Sequence, residues 1–257
     1  MRNNVSDFYN NLASEYKSIF KDWDYSVKWQ ADCIDNIIMP QIYTQRNHTE
    51  ILDCSCGIGT QAIGLALLGY KVHASDLSIK EIERAKLEAA RLGAELSFST
   101  ADFRTLNKQI EGTFHVVISF DNSLTHLLKP EELQVTFNNI NEKLVDNGLF
   151  VASIRDYDKF LEERPKILPP YVHDDQEGRR IVVQVWDWND DDIYKVNQYI
   201  TKQADQECST ICNSTFYRAI TREEISEKLS TAGFYNIHWM MPEETGFYQP
   251  IVTARKL

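Results

Sequence analysis

The sequence predicts an α/β protein with a doubly wound sheet, and three observations carry that expectation. Short apolar runs that read as buried strands alternate with stretches whose apolar residues recur at helical spacing. One run, Ile51-Leu52-Asp53, passes into the glycine turn Cys54-Ser55-Cys56-Gly57-Ile58-Gly59-Thr60 and then into a helix. The next strand, Lys71 to Asp76, closes on a carboxylate nineteen positions after Gly57. Strand, glycine turn, helix, strand and acid in that order make a nucleotide pocket, because glycines let backbone approach a ligand and a helix start offers unpaired amides.

The remaining elements follow in chain order. From Val5 to Ile42 the spacing predicts two helices, one through Phe8, Leu12 and Tyr16, the other through Val27, Ala31, Ile34 and Ile38, ending at Pro40. This segment, residues 1–45, is expected to fold over the pocket as a helical lid, bringing Tyr9, Tyr16, Trp23 or Trp29 to it; the same aromatics would also serve simply as packing. The helix from Gly59 to Leu68 stops at Gly69, and Ser78-Ile79-Lys80-Glu81 reads as a capping box opening the next one, which runs to Gly93. Ala94 to Thr100 alternates as a third strand, and Phe114 to Phe120 is the near-continuous apolar run of a strand covered on both faces. Pro130 opens a helix through Leu133, Phe137, Ile140 and Leu144, and Asp146-Asn147-Gly148 turns it into a fifth strand, Leu149 to Ile154. Near the end, Thr221-Arg222-Glu223-Glu224 boxes a last helix, followed by strands Ile237 to Met240 and Ile251 to Arg255.

Between the fifth strand and the last helix, about 65 residues break the alternation. Arg180 to Trp188 has period two, with Val182, Gln184, Trp186 and Trp188 on one side, and Ile193 to Lys202 and Ser214 to Ile220 read as partner strands. Such an antiparallel insertion, residues 157–218, belongs at the carboxyl edge of the sheet, where it would cap the substrate; residues 46–156 and 219–257 form the main domain.

Two cofactor types suit the glycine turn. Gly57-Ile58-Gly59-Thr60-Gln61-Ala62 passes as a dinucleotide fingerprint, but Asp53, four residues ahead of the first glycine, is better matched to a cofactor with a cationic amino-acid tail than to a pyrophosphate. On these residues the chain resembles the class I S-adenosylmethionine-dependent methyltransferases. Asp53-x-x-Cys56-Gly57-x-Gly59 is similar to their motif I, Asp76 to their ribose acid, and Ala101-Asp102-Phe103 to their adenine-contacting acidic position. The resemblance implies a seven-stranded Rossmann-like sheet with an antiparallel last strand, and S-adenosyl-L-methionine as cofactor. It also implies a cofactor set of Tyr16, Asp53, Cys54, Cys56, Gly57, Gly59, Asp76, Leu77, Asp102, Phe103 and Phe120.

Within that class, Asn122-Ser123-x-x-His126-Leu127 and Arg155-x-Tyr157-Asp158 resemble the glycine and sarcosine N-methyltransferases. That resemblance implies a carboxylate clamp at Arg155 and places Tyr157 in the substrate site; Lys28 is a candidate for the cofactor carboxylate. From the residues themselves, a planar guanidinium in a water-poor cleft calls for an anionic partner, which could be substrate or could be Asp156 or Asp158. Asn122 is expected to meet the substrate amine. His126 could act as a base or as a hydrogen-bonded structural group. The aromatics Trp186, Trp188, Tyr194, Tyr199 and Tyr217 could cage a developing ammonium or form the core of the insertion.

Totals bound the partners. A formal charge of −11 over 257 residues, without a Lys/Arg block, disfavours nucleic acid and points to a small-molecule acceptor. Leu168-Pro169-Pro170-Tyr171 is similar to the Pro-Pro-aromatic motif of nucleic-acid amino-methyltransferases, but its leucine cannot accept an amine hydrogen bond and it lies past the fifth strand. No apolar run approaches membrane-spanning length, so no membrane partner is expected. Five cysteines, without a disulfide framework or a zinc spacing, suit a reducing cytoplasm and no metal, while the oligomeric state stays open.

Overall fold

The computed structural model describes residues 5–176, 178–189 and 192–257. Helices α1 (Val5–Leu12) and α2 (Trp23–Ile38) precede the first strand, β1 (Glu50–Asp53). Then come α3 (Thr60–Leu67), β2 (Lys71–Asp76), α4 (Ile79–Leu92), β3 (Ser97–Thr100), the short α5 (Leu106–Gln109), β4 (Phe114–Ser119), α6 (Pro130–Lys143) and β5 (Leu144–Ser153). After α7 (Tyr157–Glu163) the chain forms β6 (Tyr171–Asp175), β7 (Gly178–Trp188), β8 (Ile193–Ala204) and β9 (Glu207–Arg218). It closes with α8 (Arg222–Thr231), β10 (Phe234–Met240), α9 (Pro242–Thr245) and β11 (Ile251–Lys256).

Seven strands make one sheet in the order β10-β11-β5-β4-β1-β2-β3, parallel except for β11, which runs antiparallel to both neighbours. Order reverses between β1 and β4, so the loops after β1 and β4 diverge there and leave a crevice at the strand ends. Alternation along each strand builds the two layers. Leu52, Val117, Phe150, Ala152 and Val252 pack on one face with Leu133, Phe137, Ile225 and Leu229 of α6 and α8. Ile51, Val116, Ile118, Leu149, Val151 and Ile251 pack on the other with Ile34, Ile38, Leu65 and Ile82 of α2, α3 and α4. At α3 the approach to α2 is close: a Cβ on Gly64 would lie 2.4 Å from the Val27 carbonyl oxygen.

The insertion is a second sheet, β6-β7-β8-β9, antiparallel throughout. Trp186, Tyr194, Val196 and Tyr217 on its inner face join the α6–α8 side of the core.

Several expectations change. Tyr16 is not on the first helix: α1 ends at Leu12 and Tyr16 opens a separate 3₁₀ turn, Tyr16–Ile19. The expected capping boxes are half made. Ser78 Oγ accepts from the Glu81 amide and Thr221 Oγ1 from the Glu224 amide, but Asp76 already accepts from the Ser78 amide, and Glu224 turns to Arg218 instead. β5 begins at Leu144, so Asn147, at φ 60°, is an irregularity within the strand rather than a turn before it. Sequence reading missed α7 and β6, and started β9 at Ser214. The extra stretch of β9, Glu207–Asn213, carries no alternation and is exposed except for half-buried Asn213; it is a strand because β8 pairs with it down to Ala204↔Glu207.

Candidate active site

The crevice at the strand ends is a cleft of about 540 Å³. Its lining includes nine of the residues expected there: Tyr16, Cys54, Cys56, Gly57, Asp76, Leu77, Asp102, Phe103 and His126. The other six, Asp53, Gly59, Phe120, Asn122, Arg155 and Tyr157, stand behind or beside it.

The turn after β1 needs its glycines. Gly57 and Gly59 have φ of 53° and 91°, in the left-handed region, and a Cβ at Gly59 would lie 2.8 Å from Ile63 Cδ1. Asp76 holds the turn from below: Oδ2 accepts from the Gly57 amide at 2.9 Å and Oδ1 from the Ser78 amide at 2.9 Å. Asp53 is 1% exposed; Oδ1 accepts from the Ser55 amide at 3.1 Å, while buried Oδ2 has no partner among the described residues. Burial, with the nearby charges of Asp76 and Asp121, pushes its pKa up to about 8. Burial raises Asp76 and Asp121 in the same direction. Asp102 is tied to Arg104, 2.6 Å away, and Arg104 reaches Glu132 on α6. Phe120 is buried edge-on against Phe247, and Cys54 and Cys56 carry thiols pushed up by burial.

This arrangement fits a cationic nucleoside with a bent tail. Carboxylates converge on a glycine cradle, one keeps a buried oxygen unsatisfied among the described residues, and no described Lys or Arg side chain pairs with Asp53 or Asp76. The cations of the cleft lining, Arg104 and Lys129, stand away from the turn, and Arg104 is already paired with Asp102 and Glu132, so a pyrophosphate at the turn would meet carboxylates.

Beyond β4 the backbone is strained: Asp121 and Asn122 have φ of 57° and 72°, uncommon for side chains other than glycine. The strain aims Asp121 into the cleft, where Gln61 donates to Oδ2 at 2.7 Å and the Tyr248 hydroxyl donates to Oδ1. Asn122 turns inward. It is 2% exposed, donates to Thr125 Oγ1 at 2.8 Å and accepts from the Arg155 amide at 3.2 Å. His126 lines the cleft with Nε2 2.8 Å from the Tyr9 hydroxyl. Burial, helped by the charge of Arg155, pushes its pKa down to about 3, which keeps the ring neutral and makes it a weak base.

Arg155 follows β5. Its Nη2 donates to Gln184 Oε1 at 2.8 Å and Nη1 to the Tyr194 hydroxyl at 3.3 Å, and the guanidinium carbon lies 4.9 Å and 5.5 Å from the ring centroids of Trp186 and Tyr217. Tyr157, fully buried, braces Tyr194 through a 2.7 Å hydroxyl contact. Arg155 forms no ion pair with any described residue. Asp156 and Asp158 do not serve it, because both pair with Arg222 at 2.8 and 2.9 Å.

The N-terminal candidates separate. Tyr9 and Tyr16 line the cleft, whereas Trp23 donates to Thr60 Oγ1 and Trp29 stacks on Phe247. Lys28 is exposed on α2, outside the lining. Of the insertion aromatics, Trp186, Tyr194 and Tyr217 are core and also frame Arg155, while Tyr199 is on the exposed side. Sequence reasoning left Gln61, Asp121, Gln184 and Tyr248 without roles. Asp121 had a signal, its place in the loop after β4; the others are polar residues with no local pattern around them.

Strand order and glycine turn are those of the class I S-adenosylmethionine-dependent methyltransferase fold, the class whose cofactor is S-adenosyl-L-methionine. Residues 51–148 match the family model described as a methyltransferase domain. A glycine/sarcosine N-methyltransferase from Parasynechococcus marenigrum is 31% identical over 154 residues, which are 59% of this chain and 55% of that protein. One from Aphanothece halophytica is 25% identical over 208 residues, 76% of each chain. The match thus spans little more than half of the first relative and about three quarters of the second. Among solved structures, an S-adenosylmethionine-dependent methyltransferase from Clostridium acetobutylicum superposes with a TM-score of 0.73 at 17% identity, covering 96% of this chain and 98% of the other. That likeness concerns the fold.

Proposed function

We propose that this protein transfers a methyl group from S-adenosyl-L-methionine to the amine of a small carboxylate-bearing metabolite such as glycine or sarcosine. The observation that carries the acceptor is Arg155, a guanidinium framed by two aromatic rings, Gln184 and Tyr194, without an ion pair among the described residues. A half-buried cation kept in that state is costly unless an anion comes to it, and a planar fork matches a carboxylate. The names of the two relatives above support the same acceptor class.

The cofactor, when bound, supplies an electrophilic methyl group on a sulfonium. Asp53 would offset the charge of its cationic tail, the Gly57 backbone and Asp76 would hold the tail and the ribose hydroxyls, and Leu77, Asp102 and Phe103 would hold the base. Residues 5–45 act as the lid, with Tyr9 and Tyr16 as its cleft-facing groups; residues 1–4 of the expected lid lie outside the described residues. Arg155 anchors the acceptor carboxylate. Asn122 holds the Arg155 backbone rather than touching substrate, and cleft-lining Asp121 accepts a hydrogen bond from the amine, leaving its lone pair toward the methyl. Placement and exclusion of water supply the acceleration, up to about 7–11 kcal/mol for ideally placed reactants. The amine loses its proton to solvent before transfer, so no strong base is required.

The test is release of S-adenosylhomocysteine across a panel of amino acids, phenols and amino sugars. Turnover on glycine or sarcosine with little on carboxylate-free amines is expected. Turnover confined to acceptors lacking a carboxylate would overturn the assignment of Arg155, and tight cofactor binding without turnover on any acceptor would leave a binding protein.

A further inference from the structure

Glu81 is a buried carboxylate that the reading above does not use. It stands in the first turn of α4, it is 0% exposed, and neither side-chain oxygen has a partner among the described residues. Helix capping does not explain its burial, since only its backbone amide takes part in the cap. Its neighbour is the cofactor turn: a Cβ on Gly57 would lie 3.3 Å from Glu81 Oε2 and 3.9 Å from the Tyr16 hydroxyl, and Gly57 and Tyr16 both line the cleft.

Among the described residues, the groups facing it leave it no cation. From β2 comes Asp76, from the turn Cys56 and Gly57, and from the N-terminal segment Tyr16. Along its own helix Arg84 is paired with Glu88, as is Lys17 from the N-terminal segment. The start of α4 favours a negative charge here, but full burial and Asp76 oppose it, and the carboxyl is held well above the usual range. Left without a ligand, such a group holds its proton to higher pH than an exposed glutamate does.

We propose that Glu81 is a donor-sensing residue, which ionises when the cationic end of S-adenosylmethionine enters beside Gly57 and thereby favours the charged donor over its neutral-sulfur product. The proposal rests on the reading of the cleft as a donor site. Two centres share the required chemistry, the sulfonium and the α-ammonium. On binding, the Glu81 O–H bond breaks, its proton passes to buffer, and the carboxylate left behind faces the cation. Binding lowers the carboxyl's pKa, so affinity rises with pH between the bound and free values, by at most about tenfold per pH unit for one proton.

Titration calorimetry of the full chain at pH 7, in phosphate and in Tris, counts protons released on binding. Wild type is expected to release protons with S-adenosylmethionine, and Glu81→Gln to release fewer, by up to one, with its melting temperature and circular dichroism unchanged. Glu81→Gln should also lose several-fold of any preference for S-adenosylmethionine over S-adenosylhomocysteine if the sulfonium is the partner. A deficit in released protons equal for both ligands would assign the ammonium as the partner and overturn the donor-over-product preference. Asp53 contributes equally to both proteins and cancels in the difference. Equal proton release by wild type and Glu81→Gln overturns the proposal. So does wild-type binding without any proton release, a result that stands even if the variant fails to fold. Absence of heat with either ligand overturns the donor-site reading instead.

Discussion

At the scale of the residue, the site is governed by charges that the fold buries without full compensation. Arg155 is the positive case. Replacing it with lysine keeps one charge but loses the paired donors and the flat contact on Trp186, so acceptor KM should rise about 10- to 100-fold, equivalent to ~1.4–2.7 kcal/mol. Calorimetry should find S-adenosylmethionine affinity within about twofold of wild type; a matching loss of both would mean that Arg155 braces loops and does not bind substrate. Gly57 is the conformational case. Gly57→Ala puts a Cβ on a left-handed residue and against Glu81, at a cost of ~1–2 kcal/mol in the turn. Its expected signature is a cofactor Kd raised about tenfold, measured by calorimetry, with acceptor KM at saturating cofactor little changed. Asp53, Gly57 and Asp76 were expected from spacing, because a nucleotide site is built from one strand, one turn and the next strand end, whereas Asp102, after the third strand, was expected only from the family resemblance. Gln184 and Tyr194 were not, for they reach Arg155 from residues 29 and 39 positions away in the chain.

At the scale of the element, the parallel strands and their crossover helices were legible because each is covered on both faces and writes a continuous apolar run or a helical stripe. The insertion was legible only where one face is buried. Trp186 and Val182 mark β7, whereas most of the outer half of β9 is exposed and is held by its ladder to β8. Helix α3 shows the opposite limit: its eight residues pass so close to α2 that Gly64 has no room for a side chain. Gly64→Ala should therefore separate α2 from α3 and destabilise the fold by about 1–3 kcal/mol, despite the better helix propensity of alanine. Chemical denaturation would show it as a lower midpoint, and a neutral or stabilising result would mean the two helices can shift apart freely.

At the scale of the whole molecule, burying ionisable groups around one cleft couples stability to pH. His126 has its pKa lowered, so its neutral form contributes stability that is present above about 6.5 and lost as pH falls toward 3. Asp53 has its pKa raised, so its contribution is complete below about 4 and is lost as pH rises toward 8. Between pH 4 and 6.5 the two slopes oppose each other; above 6.5 only the carboxylate slope remains. The melting temperature of the ligand-free protein should therefore fall from pH 6.5 to 8, and Asp53→Asn should flatten that fall. A melting temperature that climbs through this interval would contradict the burial of Asp53. The sequence by itself determined the class of sheet, the order of the strands of the main sheet and the glycine turn, because these follow from local periodicity and from glycines at sharply turning backbone. Only the tertiary structure decided which carboxylates keep unpaired oxygens among the described residues, that Asn122 faces inward, and that Asp156 and Asp158 pair with Arg222 and not with Arg155. Those outcomes depend on which distant side chains arrive first at each charge, and a linear chain carries no local mark of that competition.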